Sequence, residues 1–82
     1  MDALLRNERE TRPLTDRQRE ILLWIETFIS TQGHSPSIRE IVKAFGYRSN
    51  AAAAGHLIAL RKKGKITWRP GFSRTISIVR TK

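Results

Sequence analysis

The chain has 82 residues, enough for one small domain, and it contains no cysteine, which excludes disulfide bonds and thiolate metal sites. Its formal net charge of +9 favours polyanionic partners, and its two histidines are too few for a zinc cage. No segment approaches the roughly 18 apolar residues of a membrane span, and the start lacks the apolar run of a signal peptide. We therefore expect a soluble cytoplasmic protein.

The charges are divided unevenly along the chain. Every Asp and Glu lies at or before Glu40, whereas residues 41–82 contain ten Lys or Arg side chains. A one-sided basic surface is typical of nucleic-acid binding, because each neutralised phosphate releases condensed counterions. An anionic membrane is the competing polyanion.

The first thirteen residues, MDALLRNERETRP, are polar and end in Pro13. Proline disfavours helical backbone in the residue before it, so we predict a flexible arm over residues 1–13. The remaining pattern predicts one domain over residues 14–80 and a short tail at residues 81–82.

A capping box predicts the start of the first helix. Thr15 is followed three residues later by Gln18, the pair that caps helix N-termini reciprocally. The apolar spacing then predicts a helix from about Asp16 to Gln32, ended by Gly33. The apolar side chains assigned to its buried face are Ile21, Leu22, Trp24, Ile25, Phe28 and Ile29.

A second capping box, Ser37 with Glu40, predicts a helix of about two turns that ends before Gly46. Only four residues separate Gly46 from a run of four alanines, and Ser49 is the expected N-cap of a third helix reaching Lys63. Two helices joined by so short a glycine-containing turn indicate a helix-turn-helix.

A β-hairpin is predicted after Gly64. Ile66 and Trp68 alternate with polar residues, the Pro-Gly-Phe-Ser segment at 70–73 turns the chain, and Ile76 and Ile78 alternate again. The predicted fold class is mainly α with a small β-hairpin: a winged helix-turn-helix of three helices plus a two-stranded antiparallel wing.

Several sequence pieces in this order and spacing resemble one known family. They are LTDRQRE at 14–20, PSIREI at 36–41, GYRS at 46–49, His56-Leu57, Leu60, Lys63-Gly64 with Ile66, and Ser73-Arg74 with Ile76. Residues 14–79 thereby resemble the N-terminal DNA-binding domain of the LexA repressors of the bacterial SOS response. The resemblance implies a repressor of DNA-damage genes in the bacterial cytoplasm, associated with the nucleoid. It further implies that helix three enters the major groove, that the wing contacts the backbone or minor groove, and that a homodimer binds a palindromic operator on double-stranded DNA.

The chain also departs from that family. LexA proteins carry a C-terminal self-cleaving domain with a serine and lysine dyad, and this chain ends where the linker to it would begin, so we expect neither self-cleavage nor that dimer interface here. The arm is longer than in familiar members. Residues 54–55, an Ala-Gly pair, lie inside helix three and are not read as the family's cleavage bond. Without a nucleophile elbow, paired carboxylates or a phosphate-cradling loop, we expect no enzyme activity, no cofactor and no small-molecule ligand.

Helix three shows a nearly featureless outward face. If Ala53, Leu57 and Leu60 are buried, about 100° per residue places Ala51, Gly55, Ala59 and Lys62 on the opposite side. Few side chains there can read bases by paired hydrogen bonds, since only Ser49, Asn50 and His56 remain. We hypothesise close approach to DNA, with alanine methyls against thymine methyls while Arg48 and Arg74 fix the register.

The residues predicted to contact DNA are Thr15, Arg17, Ser37, Arg39, Arg48, Ser49, Asn50, Ala51, Ala52, Ala54, Gly55, Lys62, Lys63, Ser73 and Arg74. The cluster at residues 61–63 is either a phosphate clamp or a solvated helix end. Trp68 is predicted to be core rather than DNA-adjacent, because it alternates in phase with Ile66. Phe72 is predicted to be an exposed aromatic at the wing tip.

Two other interpretations remain open. The small residues spaced by four on helix three could pack against a partner helix, and together with Phe72 they would make a protein-interaction module. Alternatively, the chain is a small stand-alone regulator that has little sequence specificity and dimerises through its arm.

Overall fold

The computed structural model describes residues 13–80. The order is three helices followed by two short strands: α1 (Asp16–Gln32), α2 (Ile38–Phe45), α3 (Asn50–Lys62), β1 (Ile66–Thr67) and β2 (Ser77–Ile78). The strands are antiparallel, pairing Ile66 with Ile78 and Thr67 with Ser77. This architecture confirms the predicted winged helix-turn-helix. Residues 1–12 of the predicted arm, and the tail at 81–82, lie outside the described residues.

The boundaries of α1 follow from local hydrogen bonds. The Gln18 backbone N–H donates to Thr15 Oγ1 at 3.1 Å, and the Thr15 N–H donates to Gln18 Oε1 at 3.0 Å. Gly33 ends the helix in the left-handed conformation, with φ of 80°, which glycine adopts without the Cβ clash of other residues. Both predicted ends are confirmed.

Local hydrogen bonds also set the limits of the first helix of the helix-turn-helix. The Ser37 and Glu40 side chains form the second capping box, and Gly46 ends α2 with φ of 69°. Ser49 caps α3 by accepting a hydrogen bond from the Ala52 N–H at 3.3 Å. Helix α3 ends at Lys62, one residue before the predicted limit.

The core is small and aliphatic. Helix α3 packs against α1, α2 and β1, and the buried hydrophobic residues are Ile21, Ile25, Ile41, Ala53, Leu57, Leu60, Ile66 and Ile76. Trp24 and Phe45 are half-buried and pack against this cluster, whereas Phe28, assigned to the buried face of α1, is half-buried beside Trp24. The Trp24 ring centroid lies 5.2 Å from that of Phe28 and 5.9 Å from that of Phe45. The aromatic residues thus close one side of the core without filling its centre.

The wing has shorter strands than the alternation predicted. Each strand has only two residues, because backbone groups that would extend the ladder bind elsewhere. The Arg69 N–H donates to Thr75 Oγ1 at 2.9 Å, and the Ile76 N–H donates to Ser35 Oγ at 3.0 Å. The tight turn is centred one residue earlier than predicted, since the Phe72 N–H donates to the Arg69 carbonyl at 3.1 Å.

Candidate nucleic-acid interface

The outward face of α3 carries small residues, as the sequence predicted. Ala53 is completely buried, whereas Ala51, Ala52 and Gly55 are exposed and Ala54 is half-buried. A Cβ added at Gly55 would meet no heavy atom within 4 Å. Internal packing therefore does not explain why residue 55 is a glycine.

An open groove runs between the start of α2, the exposed side of α3 and the wing, with a volume of about 630 Å³. Several residues of the predicted DNA-contacting set line it, namely Ser37, Arg39, Asn50, Ala54, Ser73 and Arg74. These residues are distant in sequence, so the fold brings them together. The rest of the predicted set does not line this groove.

Three of the predicted residues are helix N-caps, namely Thr15, Ser37 and Ser49. A helix N-terminus presents unpaired backbone N–H groups and the positive end of the helix dipole, which together favour anions. The Thr15 and Ser49 hydroxyls each accept a backbone N–H, which leaves the hydroxyl proton able to donate to a phosphate oxygen.

Arg17 connects the start of α1 to the turn between α2 and α3. Its guanidinium carbon lies 5.6 Å from the centre of the Phe45 ring and 5.9 Å from that of Tyr47, within cation–π range. An exposed ion pair with Glu20, at 3.6 Å, holds the same guanidinium. Arg17 is therefore positioned beside the helix-turn-helix while remaining accessible to solvent.

His56, the third polar residue assigned to α3, faces the turn. Its ring stacks on Tyr47 with centroids 5.5 Å apart and an interplanar angle of 22°. The half-buried imidazole thus supports the turn, and the polar side chains left on the exposed first turn of α3 are Ser49 and Asn50. Arg48, in the turn itself, is exposed as well.

Two cations of the predicted set are held by intramolecular hydrogen bonds. Lys63 Nζ donates to Gln18 Oε1 at 2.7 Å and to the Pro13 carbonyl at 3.0 Å, so it ties the end of α3 to the start of α1. The Arg74 guanidinium donates to both carboxylate oxygens of Glu40. Arg61 and Arg69 instead lie over the rings of Trp68 and Phe72, at 4.5 and 4.6 Å from the ring centroids.

Most of the C-terminal positive charge has no acidic neighbour in the part of the chain that the structure describes. The ion pairs there are Arg17 with Glu20, Arg19 with Asp16 and Arg74 with Glu40. Only the last uses a cation from residues 41–80. Lys62, at the end of α3, is exposed.

The structure also places apolar residues in the groove that the predicted set omitted. Ile58 is 47% exposed and Phe72 is 61% exposed, and both line the groove with Trp68. Phe72 confirms the predicted exposed wing tip. Trp68 packs half-buried against the core, as its alternation with Ile66 predicted, but it also lines the groove, so the prediction that it lies away from the DNA side is not borne out. Ile58 could have been found from the helical wheel, because it follows Ala54 by four residues.

Within residues 13–80 no helix has the length and hydrophobicity to cross a membrane. The same residues contain no group of three or more side chains suited to a metal ion.

A winged helix-turn-helix with a basic C-terminal half and an exposed third helix defines the class of winged-helix DNA-binding domains. A model of the LexA DNA-binding domain matches residues 11–75, which is most of the chain. The chain belongs to the LexA DNA-binding domain family.

Similar proteins include full LexA regulators. The chain is 46% identical over 67 residues to the LexA repressor of Thermosipho melanesiensis, covering 82% of this chain and 33% of that protein. It is 49% identical over 70 residues to the LexA repressor of Shewanella woodyi, covering 85% and 34%. The transcription regulator LexA of Synechocystis is 39% identical over 70 residues, covering 85% and 34%. The chain spans about one third of the length of these curated relatives, and the family model that it matches is that of the LexA DNA-binding domain.

Proposed function

We propose that this chain is the sequence-reading domain of a LexA-like transcriptional repressor in the bacterial cytoplasm. Helix α3 enters the major groove of double-stranded DNA, and the wing contacts the backbone or the minor groove. The observation that carries this proposal is the groove in which the start of α2, the exposed side of α3 and the wing meet.

The charge of the surrounding surface supports the proposal. The cations of residues 41–80 include one ion-paired side chain among the described residues, and the others add to an unbalanced positive charge. Such charge gives affinity for phosphates without giving sequence preference. The capped N-termini of the three helices supply further donors that would fix the protein on the backbone.

In this proposal, the residues on the exposed face of α3 recognise the DNA sequence. Asn50 can pair with an adenine edge through two hydrogen bonds, and the methyls of the exposed Ala51 and the half-buried Ala54 suit thymine methyl groups. Gly55 allows the helix backbone to approach the bases, because no side chain stands between them. The proposed contacts are therefore close and largely apolar.

A single domain of this size has limited contact area, so two copies on a two-fold symmetric site would be needed for tight binding. The proposal includes a palindromic operator bound by a homodimer. Whether the copies associate through this domain or another part of the protein does not alter the half-site that each copy reads.

The test is selection of binding sites from a randomised duplex library near physiological salt, followed by affinity measurements across a salt series. We expect a two-fold symmetric motif with fixed half-site spacing, and log K falling with log salt by about 0.9 for each phosphate neutralised. Asn50→Ala should relax the preference at one position of each half-site. Thr27→Ala, on the exposed far part of α1, is the matched control. Salt-sensitive binding without any motif would limit the function to non-specific DNA coating.

A protein-interaction surface is the second candidate, and the exposed Phe72 and Ile58 in the groove favour it. The same experiment separates the two functions. If the domain binds no duplex at physiological salt, the basic surface is incidental and the apolar groove residues become the functional feature.

A further inference from the structure

Arg74 lies at the base of the wing, between the exposed tip and β2. Its Nη1 donates to Glu40 Oε1 at 2.9 Å and its Nη2 donates to Glu40 Oε2 at 3.1 Å, a bidentate pair. Nη1 also donates to the Ser35 carbonyl at 3.3 Å. The guanidinium therefore joins the wing to the first turn of α2 and to the loop before it.

The backbone of Arg74 is unusual for a residue with a side chain. Its φ of 56° lies in the left-handed region, where the Cβ crowds the following carbonyl oxygen, and it is the one non-glycine with positive φ among residues 13–80. Such a conformation persists when surrounding contacts compensate for it. The contacts that hold Arg74 in this conformation are its hydrogen bonds to the Glu40 carboxylate and the Ser35 carbonyl.

Glu40 also has a second role. Its Oε1 accepts the Ser37 N–H at 2.9 Å in the capping box that starts α2, so one carboxylate fixes both the helix end and the wing. Beneath this pair, the Ile76 N–H donates to the buried Ser35 Oγ at 3.0 Å. The wing is thus attached to α2 and the loop before it at two points, Arg74 and Ile76.

Immediately before Arg74, Phe72 and Ser73 line the groove together with Asn50 and Ala54 of α3. The position of the wing tip relative to α3 therefore depends on where Arg74 is anchored. A wing held in place before binding loses less conformational freedom when it meets DNA.

We propose that Arg74 is a positioning residue, which fixes the wing against α2 through Glu40, and that it is not itself a phosphate ligand. This inference rests on the proposed function, because it assigns the role of one residue in the same interface. It replaces the sequence-based expectation that Arg74 holds the register by direct contact with DNA.

Glu40→Gln separates the two roles by the sign of its effect. Glutamine retains the oxygen that caps α2 but loses the charge that holds Arg74. If Arg74 positions the wing, operator affinity falls, by about two- to tenfold for the extra ordering needed on binding. If Arg74 is a phosphate ligand, removing the competing carboxylate frees it and affinity rises. Glu26→Gln, the same change on α1, is the matched control and leaves affinity unchanged.

Arg74→Lys supplies an independent comparison. Lysine keeps the positive charge and can bind a phosphate, but it cannot make the bidentate contact with Glu40. A positioning role predicts loss of affinity comparable to that of Glu40→Gln, with an unchanged salt slope. Affinity near wild type for Arg74→Lys, or a salt slope lowered by about 0.9 for Arg74→Ala, would show a direct phosphate contact and overturn the inference.

A measurement without DNA tests the anchor itself. Heteronuclear NOE values of the Ser73 and Thr75 amides should fall in Glu40→Gln and in Arg74→Lys, while those of α1 stay constant; unchanged values would overturn the inference. Thermal unfolding confirms that the variants fold. If wild-type protein binds no duplex, the proposed function fails as a whole, whereas wild-type binding together with tighter binding by Glu40→Gln rejects only the role of Arg74.

Discussion

Two neighbouring lysines at the end of α3 have different surroundings despite identical chemistry. Lys62 is exposed, whereas Lys63 donates to Gln18 Oε1 and to the Pro13 carbonyl. Because Gln18 is itself buried and caps α1, Lys63 joins two elements that are far apart in sequence. Proximity in the sequence therefore does not imply a shared role.

Lys63→Ala should lower the free energy of unfolding by about 1 kcal/mol, as expected for partly exposed hydrogen bonds from a charged donor. Lys62→Ala should leave stability within about 0.5 kcal/mol of wild type and reduce the salt slope of DNA binding by about 0.9. Urea unfolding and a salt series of binding measurements check both. Equal stabilities for the two variants would show that the Lys63 contacts contribute nothing.

Gly55 and Gly33 would both accept a Cβ without steric contact, yet their backbones differ. Gly33 has φ of 80° at a helix end, whereas Gly55 lies in the interior of α3. We expect Gly55→Ala to stabilise the domain by up to about 1 kcal/mol, and Gly33→Ala to destabilise it by about 1 kcal/mol.

Thermal unfolding measures these two shifts, and DNA binding measures the functional side of Gly55. If α3 approaches DNA closely, Gly55→Ala binds its operator more weakly even though it is more stable. Undiminished binding would contradict the close approach of this helix face.

At the scale of elements, the helices and the wing are specified in different ways. Helix α1 is bounded by Thr15, Gln18 and Gly33, which act within one turn of each end, so its limits were predicted correctly. The wing strands were predicted too long, because the Ile76 N–H binds Ser35 Oγ, 41 residues earlier, rather than a strand partner. Alternation in a sequence indicates which residues share a face, but it does not show which partners the backbone groups find.

The junction between α2 and the wing should give the domain a defined acid sensitivity. Hydrogen bonds from Arg74 and from the Ser37 backbone lower the pKa of Glu40 below its ordinary value. Because its pKa is lower in the folded protein than in the unfolded chain, the ionised Glu40 stabilises the fold at pH values above the unfolded pKa of about 4.3. This stabilisation is lost as the pH falls through the pKa of the folded state.

Urea midpoints measured between neutral and acid pH should therefore decline at the acid end. The decline should be smaller for Glu40→Gln, which has no carboxylate to protonate there. Parallel curves for the two proteins would show that the pair does not contribute to acid stability.

At the scale of the whole molecule, the domain presents one small binding face. Its basic surface gives an affinity for DNA that weakens with salt, and in the proposed complex each copy reads one half-site. When two copies are joined, the effective concentration of the second copy at its half-site determines the gain in affinity.

Joining two copies by a flexible linker long enough to span adjacent half-sites should raise affinity for a two-fold symmetric operator by about 10²- to 10⁴-fold over a single copy. Fluorescence anisotropy with labelled duplexes measures this gain. The control duplex has one half-site scrambled, and on it the linked protein should bind nearly as weakly as the single copy. Equal gains on both duplexes would show that the second copy binds without reading sequence.

The sequence by itself determined the fold class, the limits of α1 and α2, the buried stripe of α3 and the family, because capping boxes, helical spacing and short motifs act over short stretches of chain. Only the tertiary structure decided which Lys and Arg side chains are held by intramolecular hydrogen bonds and which remain available to DNA. Lys63 pairs with Gln18 at a separation of 45 residues, and Arg74 pairs with Glu40 at a separation of 34. No local pattern encodes such contacts, since they form only where packing of the helices brings distant backbone segments within hydrogen-bonding distance.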